Sequence, residues 1–360
     1  MALLYIDGFD AADAALRWVR TGVDADFSYA AATRFGAGKA VTLSSVTFNS
    51  AASLLHSITP SVAIYAGAAI KVGLELDSNA SNPTANLFGL YSDGGMTGHI
   101  YIRRLTLTNA IALYRGDANS GTIGSPSGTQ IAVSAAGVFD ANWHYIEMHA
   151  TIHDTTGRVI VKVDGNAVID FTGDTRNAGT STSIDAIRFR TAIYSNWTPN
   201  SPITIDDLYI CDGTGMVNNT FLGDVRVQSL VPTGVGSSTQ LTPTGSANNY
   251  ANVNEVPYSS ATYNASSTVG QRDTYALSDL VGNTTAIFGI QSVAHMQKND
   301  AGTANAKIAL KSGASVYYDA TQSLGASTAA YVQLRETDPA TSAAWTVGNA
   351  NALEAGMEVA

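Results

Sequence analysis

Trp143-His144-Tyr145-Ile146-Glu147-Met148 opens the stretch from Trp143 to Phe171 that decides the fold. A turn at Asp154 to Gly157 separates it from Arg158-Val159-Ile160-Val161-Lys162-Val163. Asp164-Gly165 then leads into a third run, from Ala167 to Phe171. Val159, Val161 and Val163 recur at every second position while Arg158 and Lys162 take the other side, which is the period of a half-buried strand. Asp-Gly between two such runs signals a hairpin, because a type I′ turn needs positive φ at both central residues. The stretch is predicted to be a β-meander.

The same period runs outward on both sides. From Val62 to Leu76 apolar residues alternate without a break, predicting a long antiparallel strand with one face on a core. Leu87 to Tyr91, Ile100 to Leu107, Ile111 to Tyr114 and Ile184 to Phe189 continue the pattern. In the last of these, Ile187 and Phe189 share one face while Arg188 and Arg190 share the other. Between Ile203 and Ile210 the apolar phase switches from odd (Ile203, Ile205) to even (Leu208, Ile210). A one-residue shift flips every side chain, so an extra residue is predicted at Asp206-Asp207 as a β-bulge. Only Ser50 to Ile58 and Thr274 to Leu280 read as helices, of two turns each.

Val231 to Asn249 is rich in Pro, Gly, Ser and Thr and reads as a loop or linker. A second set of strands follows at Ile287 to Met296, Ala306 to Lys311, Val316 to Tyr318 and Ala330 to Leu334. The expected fold class is all-β, with a sandwich over residues 1–217 and a smaller β-sandwich over 218–360. Asp224 to Val227 is expected to open the second as a strand.

Composition narrows the function. Charged residues are 13% of the chain, about half the usual share, so polarity rests on Ser, Thr, Asn and Gly. A net charge of −10 and the lack of a Lys/Arg cluster argue against a nucleic-acid partner. The single cysteine, Cys211, excludes an internal disulfide and fits synthesis in a reducing bacterial cytoplasm. The first residues lack the pattern of a signal peptide, and no run approaches the roughly 20 apolar residues of a membrane helix.

Ile6-Asp7-Gly8-Phe9-Asp10 with Trp18, the strand from Val62, Trp143-His144, Val161-Lys162-Val163-Asp164-Gly165 and Ile205-Asp206-Asp207-Leu208-Tyr209-Ile210 form an ordered set. In that order they resemble a concanavalin A-like, or laminin G-like, jelly-roll sandwich. Phe221-Leu222-Gly223-Asp224-Val225-Arg226-Val227 and Asp338-Pro339-Ala340-Thr341 with Trp345 resemble virion proteins of tailed bacteriophages. The resemblance implies a structural virion component of tail, baseplate or capsid surface. Its partners would be other virion proteins, copies of itself and a host surface glycan. The alternative is a glycan-depolymerising enzyme or a carbohydrate-binding module.

Candidate chemistry is sparse. Glu75 and Asp77 share a strand face, but retaining glycosidases on this fold place a third carboxylate where Ala80 stands. With one of two required carboxyl groups missing, the chain is expected not to be an enzyme. His149 and His153 share a strand face but would lie about 13 Å apart at 3.3 Å per residue, too far for one zinc ion. Asp77-x-Asn79-x-Ser81 lacks the glycine and final glutamate of an EF-hand. No cofactor is expected, apart from the calcium that laminin G-like domains hold, for which Asp206 and Asp207 are the candidate ligands. Tyr194 and Trp197 are the candidate glycan-binding aromatics, and Tyr317, Tyr318 and Trp345 the candidate interface anchors.

Overall fold

A computed structural model describes residues 2–30, 34–36, 38–44, 51–73, 85–105, 107–117, 128–177, 179–192 and 202–360. It divides into two compact units, residues 1–10 with 17–227, and residues 11–16 with 228–360. In chain order the first unit holds β1 (Leu3–Asp7), β2 (Val19–Thr21), β3 (Phe27–Ala30), β4 (Ala40–Leu43), β5 (Ala51–Ser61), β6 (Ala63–Val72), β7 (Ala85–Ser92) and β8 (Thr97–Leu105). It continues with β9 (Ala110–Arg115), β10 (Thr129–Val133), β11 (His144–Thr151), β12 (Gly157–Val163), β13 (Asn166–Gly173), β14 (Ile184–Ala192) and β15 (Ile203–Cys211).

These strands form two antiparallel sheets. One runs β13-β12-β11-β6-β15-β4-β3, with β1 added along β15, and the other runs β10-β9-β8-β7-β14-β5-β2. The consecutive strands β5 and β6 lie in different sheets, as do β14 and β15, so the chain repeatedly crosses between layers. This is the jelly-roll sandwich that the resemblance to concanavalin A-like domains implied. The alternation supplies the core: Ile64, Ala66, Ala68, Ile70 and Val72 on β6 are at most 1% exposed. In the other sheet Phe88 of β7 packs on Phe189 of β14 at 5.7 Å between ring centroids.

Asp7 gathers the chain start. Its carboxylate accepts from Arg17 Nη2 and Trp18 Nε1 at 2.8 Å each, from Phe9 N at 2.7 Å and from the Tyr5 hydroxyl at 3.1 Å. Both members of the Asp7–Arg17 ion pair are buried, and the multiple donors offset the cost of desolvating the charges. Tyr5 in turn stacks on His56 of β5, joining the two sheets at 3.6 Å between centroids.

Several expectations are corrected. Of the expected helix from Ser50 to Ile58, residues 51–58 lie in strand β5 (Ser50 is outside the described residues), and Thr274 to Leu280 overlaps the strand Arg272–Leu277. Both runs are fixed by ladders to neighbours far away in sequence, and tertiary pairing overrides a weak local helix signal. Val231 to Asn249 is not an open linker. Its strand Pro232–Thr239 pairs with Arg272–Leu277, and Thr242–Thr244 pairs with Tyr263–Ala265. Asp224 to Val227 forms no strand and belongs to the first unit, which ends at Val227 and not near Val217.

The second unit is built on a six-stranded sheet whose central strand, Glu354–Val359, lies between Arg272–Leu277 and Asn305–Ser312. Met296, Ala306 and Ile308 make one small core, and Leu310, Trp345 and Leu353 another. Asp13 reaches His295 of the same unit, with 2.9 Å between Oδ2 and Nε2.

Candidate functional site: an arginine and tyrosine face

Strand alternation puts a second set of side chains on the face of the seven-stranded sheet turned away from the core. Register aligns them in rows. Arg103 of β8 lies opposite Asn86 of β7, which lies opposite Arg190 of β14. In the next row Tyr114 of β9 lies opposite Tyr101 of β8, then come Gly89 of β7, Arg188 of β14 and Leu55 of β5. Tyr91 follows on β7, opposite Ala186. Directly opposed residues in such ladders sit about 4.5–5.5 Å apart, so three guanidinium groups and three phenols share one patch.

The patch is ordered by its own contacts. Tyr101 and Tyr114 stack at 5.2 Å between centroids, and the Arg103 guanidinium lies 5.7 Å from the Tyr114 ring. The Arg188 guanidinium sits 4.6 Å over the Tyr91 ring, a cation–π arrangement. Gly89 is required at the centre: a Cβ there would come within 2.9 Å of the Tyr101 Cβ and 3.1 Å of the Ile100 carbonyl oxygen. Tyr114 donates to Gln130 Oε1 on the exposed edge strand β10 at 3.2 Å. The tyrosines, Arg103 and Arg190 form a buried floor, while Arg188 and Asn86 are half-exposed.

Electrostatics follow from that burial. Desolvation pushes the Tyr101 phenol up to about 12, against a smaller opposing pull from Arg103. Burial likewise raises Tyr91, and it lowers Arg188 because the charged guanidinium loses water. The carboxylate whose field reaches Tyr91, Tyr101 and Arg188 is that of Asp117.

The outer face of the eight-stranded sheet is arranged differently, because residues 221–227 bind across it. Gly223 N donates to Glu147 Oε1 at 2.9 Å, and the Tyr209 hydroxyl donates to the same oxygen at 2.5 Å. Phe221 meets the Tyr65 ring edge-on at 5.1 Å and receives the Lys162 ammonium over its face at 4.0 Å. Residues 221–227 are thus an internal cover, and Glu147 beneath them is 1% exposed.

The residues singled out from sequence are scattered. Tyr194 and Trp197 lie outside the described residues, as do Glu75 and Asp77. Trp345 is corrected from interface anchor to core: it is 4% exposed, and its Nε1 donates to the Arg335 carbonyl at 3.0 Å. Tyr318 is half-buried, with its hydroxyl bonded to Arg272 and Glu358, and Tyr317 is half-buried beside it. The predicted bulge is present, with register slipping between Asp206 and Tyr209 and Asp207 at φ 53°. Its two carboxylates, however, are 4% and 1% exposed and lie within the sheet, not at a rim. Asp206 Oδ1 accepts from Asp207 N at 2.9 Å, and Asp207 Oδ1 from Val227 N at 2.7 Å. Among the described residues no three His, Cys, Asp or Glu side chains are placed to hold a metal ion. No helix among them is long and apolar enough to cross a membrane.

No protein-family model and no curated protein sequence matches the chain. Solved structures are similar to it at low identity. A sialidase matches at 12% identity and TM-score 0.38, covering 58% of this chain and 18% of its own. The carbohydrate-binding module CBM66 from Bacillus subtilis matches at 11% and 0.32, covering 53% and 93%. The alginate lyase vAL-1 from Chlorella virus matches at 12% and 0.39, covering 59% and 99%. The expectation that the chain is not an enzyme is corrected by the presence of a sialidase and an alginate lyase among these structures. The missing third carboxylate at Ala80 bears on one reaction alone and does not extend to others.

Proposed function

We propose that the chain is a carbohydrate-binding jelly-roll protein that takes a glycan on the outer face of its seven-stranded sheet. On this reading, any glycan-processing chemistry is located there too. The observation that carries the reading is the pair of cross-strand rows that join Arg103, Asn86 and Arg190 to Tyr114, Tyr101 and Arg188. A sugar presents an apolar C–H face and a rim of hydroxyl groups. The half-exposed Arg188 and Asn86 supply directed donors for those hydroxyl groups, above a buried floor of phenol rings. Side chains fixed on paired strands also hold their geometry better than side chains on loops.

Affinity electrophoresis through gels containing neutral or acidic polysaccharides tests the proposal, with release of reducing ends measured on the same mixtures. Retardation by at least one polysaccharide is expected, with a severalfold loss in Tyr114→Ala. Asp170→Asn, on the other sheet, should behave as wild type. Retardation that survives Tyr114→Ala unchanged would move the site elsewhere.

A place on a phage particle, in repeated copies, is supported by the two sequence segments named above. It is tested by mass spectrometry of purified particles, where absence of the chain would end it.

A further inference from the structure

Building on the reading of this face as a glycan site, we infer that its ligand is a neutral glycan, and that Asp117 and Arg188 together hold two neighbouring hydroxyl groups of one sugar. Two glycines set the geometry. A Cβ at Gly89 would come within 3.3 Å of Tyr91 Cε2, and one at Gly98 within 3.0 Å of Tyr91 Cε1, so the Tyr91 ring lies across both. The Arg188 guanidinium covers that ring at 4.6 Å, and its Nη2 donates to the Gly95 carbonyl at 3.1 Å. Asp117 borders the same ring. Its Cα lies 2.8 Å from the Cβ position at Gly98, and its field reaches both Tyr91 and Arg188.

The accessible charges around this ring cancel. Arg188 and Asp117 are half-exposed, whereas Arg103 and Arg190 belong to the floor at 9% exposure each. An ionised carboxylate offers about four acceptor sites, so Asp117 accepts further hydrogen bonds beside those it already makes. Nη1 of Arg188 likewise adds donors that the Gly95 carbonyl does not use. Sugar hydroxyl groups both donate and accept, and a pair on adjacent carbons matches a carboxylate and a guanidinium that border one phenol ring. A sugar carboxylate would instead set its charge against Asp117, and like charges brought together are disfavoured.

The experiment uses the full chain with dextran and galactomannan as neutral probes and alginate as the acidic one, by isothermal titration calorimetry at low and high salt. Binding to a neutral probe should exceed binding to alginate and hold as salt rises. Periodate cleaves the bond between adjacent hydroxyl-bearing carbons. Treating the bound neutral probe with periodate and then borohydride should abolish its binding without adding charge. Asp117→Ala should lower affinity about tenfold or more, the range for a lost hydrogen bond to a charged group, and Asp117→Asn should lose less. Asp170→Asn, on the other sheet, should bind as wild type. Circular dichroism on each variant separates lost binding from lost folding, and the periodate comparison needs no variant.

Tighter binding to alginate than to either neutral probe would overturn the inference while leaving the glycan site standing. Neutral binding that survives periodate, or an unchanged affinity in folded Asp117→Ala, would overturn it as well. A folded chain that binds no probe at all would remove both.

Discussion

Asp206 and Asp207 show what burial does to single residues. Burial raises both carboxyl groups above the ordinary aspartate range, and for Asp206 the neighbouring Asp207 charge adds to the shift. Asp207 Oδ2 is buried with no hydrogen-bond partner among the described residues, which leaves part of that desolvation uncompensated. Because the folded state holds the Asp206 proton more tightly than the unfolded chain, the unfolded chain ionises first as pH rises. Stability from this site is therefore present near pH 4 and falls as pH climbs through the raised value. Asp206→Asn has no proton to lose. Urea titrations from pH 4 to 8 should show a flatter stability profile for the variant, similar to wild type at the acid end and above it at neutral pH. A wild-type advantage at neutral pH would mean that the Asp206 charge is favourably held.

At the scale of elements, the outer face of β6 is set by one glycine. Gly67 lies where a Cβ would come within 2.4 Å of Tyr209 Cε1 and 3.0 Å of Tyr145 Cε1. Both rings are buried and tethered, Tyr209 to Glu147 and Tyr145 to the Asp207 carbonyl at 2.9 Å, so neither gives way cheaply. Gly67→Ala should destabilise the first unit by about 1–3 kcal/mol, the usual cost of overpacking. The readout is the denaturant midpoint, and an unchanged midpoint would show that the rings move aside freely. Residues 221–227 depend on the same rings, since Leu222 N donates to the Tyr209 hydroxyl at 3.1 Å.

For the whole molecule, the two units are held by cores of different extent, a broad sandwich interior in the first and two small clusters in the second. Protease sensitivity follows where backbone is paired. Residues 212–220 carry no strand and include Met216, 95% exposed, whereas 231–249 is laddered into sheets. Limited proteolysis with mapped cleavage sites should therefore cut within 212–220 before any site within 231–249. The reverse order would contradict the ladder between Pro232–Thr239 and Arg272–Leu277.

The sequence by itself determined the strands and the faces of the strands. A period of two needs only neighbouring residues, so alternation alone assigns Ile187 and Phe189 to the core and Arg188 and Arg190 to the opposite face. The bulge at Asp206-Asp207 was legible for the same reason, because a slip in phase is local information. Which strands become neighbours is not local. Arg103 on β8 and Arg190 on β14 meet through Asn86 on β7, and that row exists only once three distant segments have paired in register. Local signals also failed where pairing outweighed them, as in 51–58 and 231–249. The arginine and tyrosine face was therefore present in the sequence as separate outward-facing residues, and only tertiary structure made it one surface.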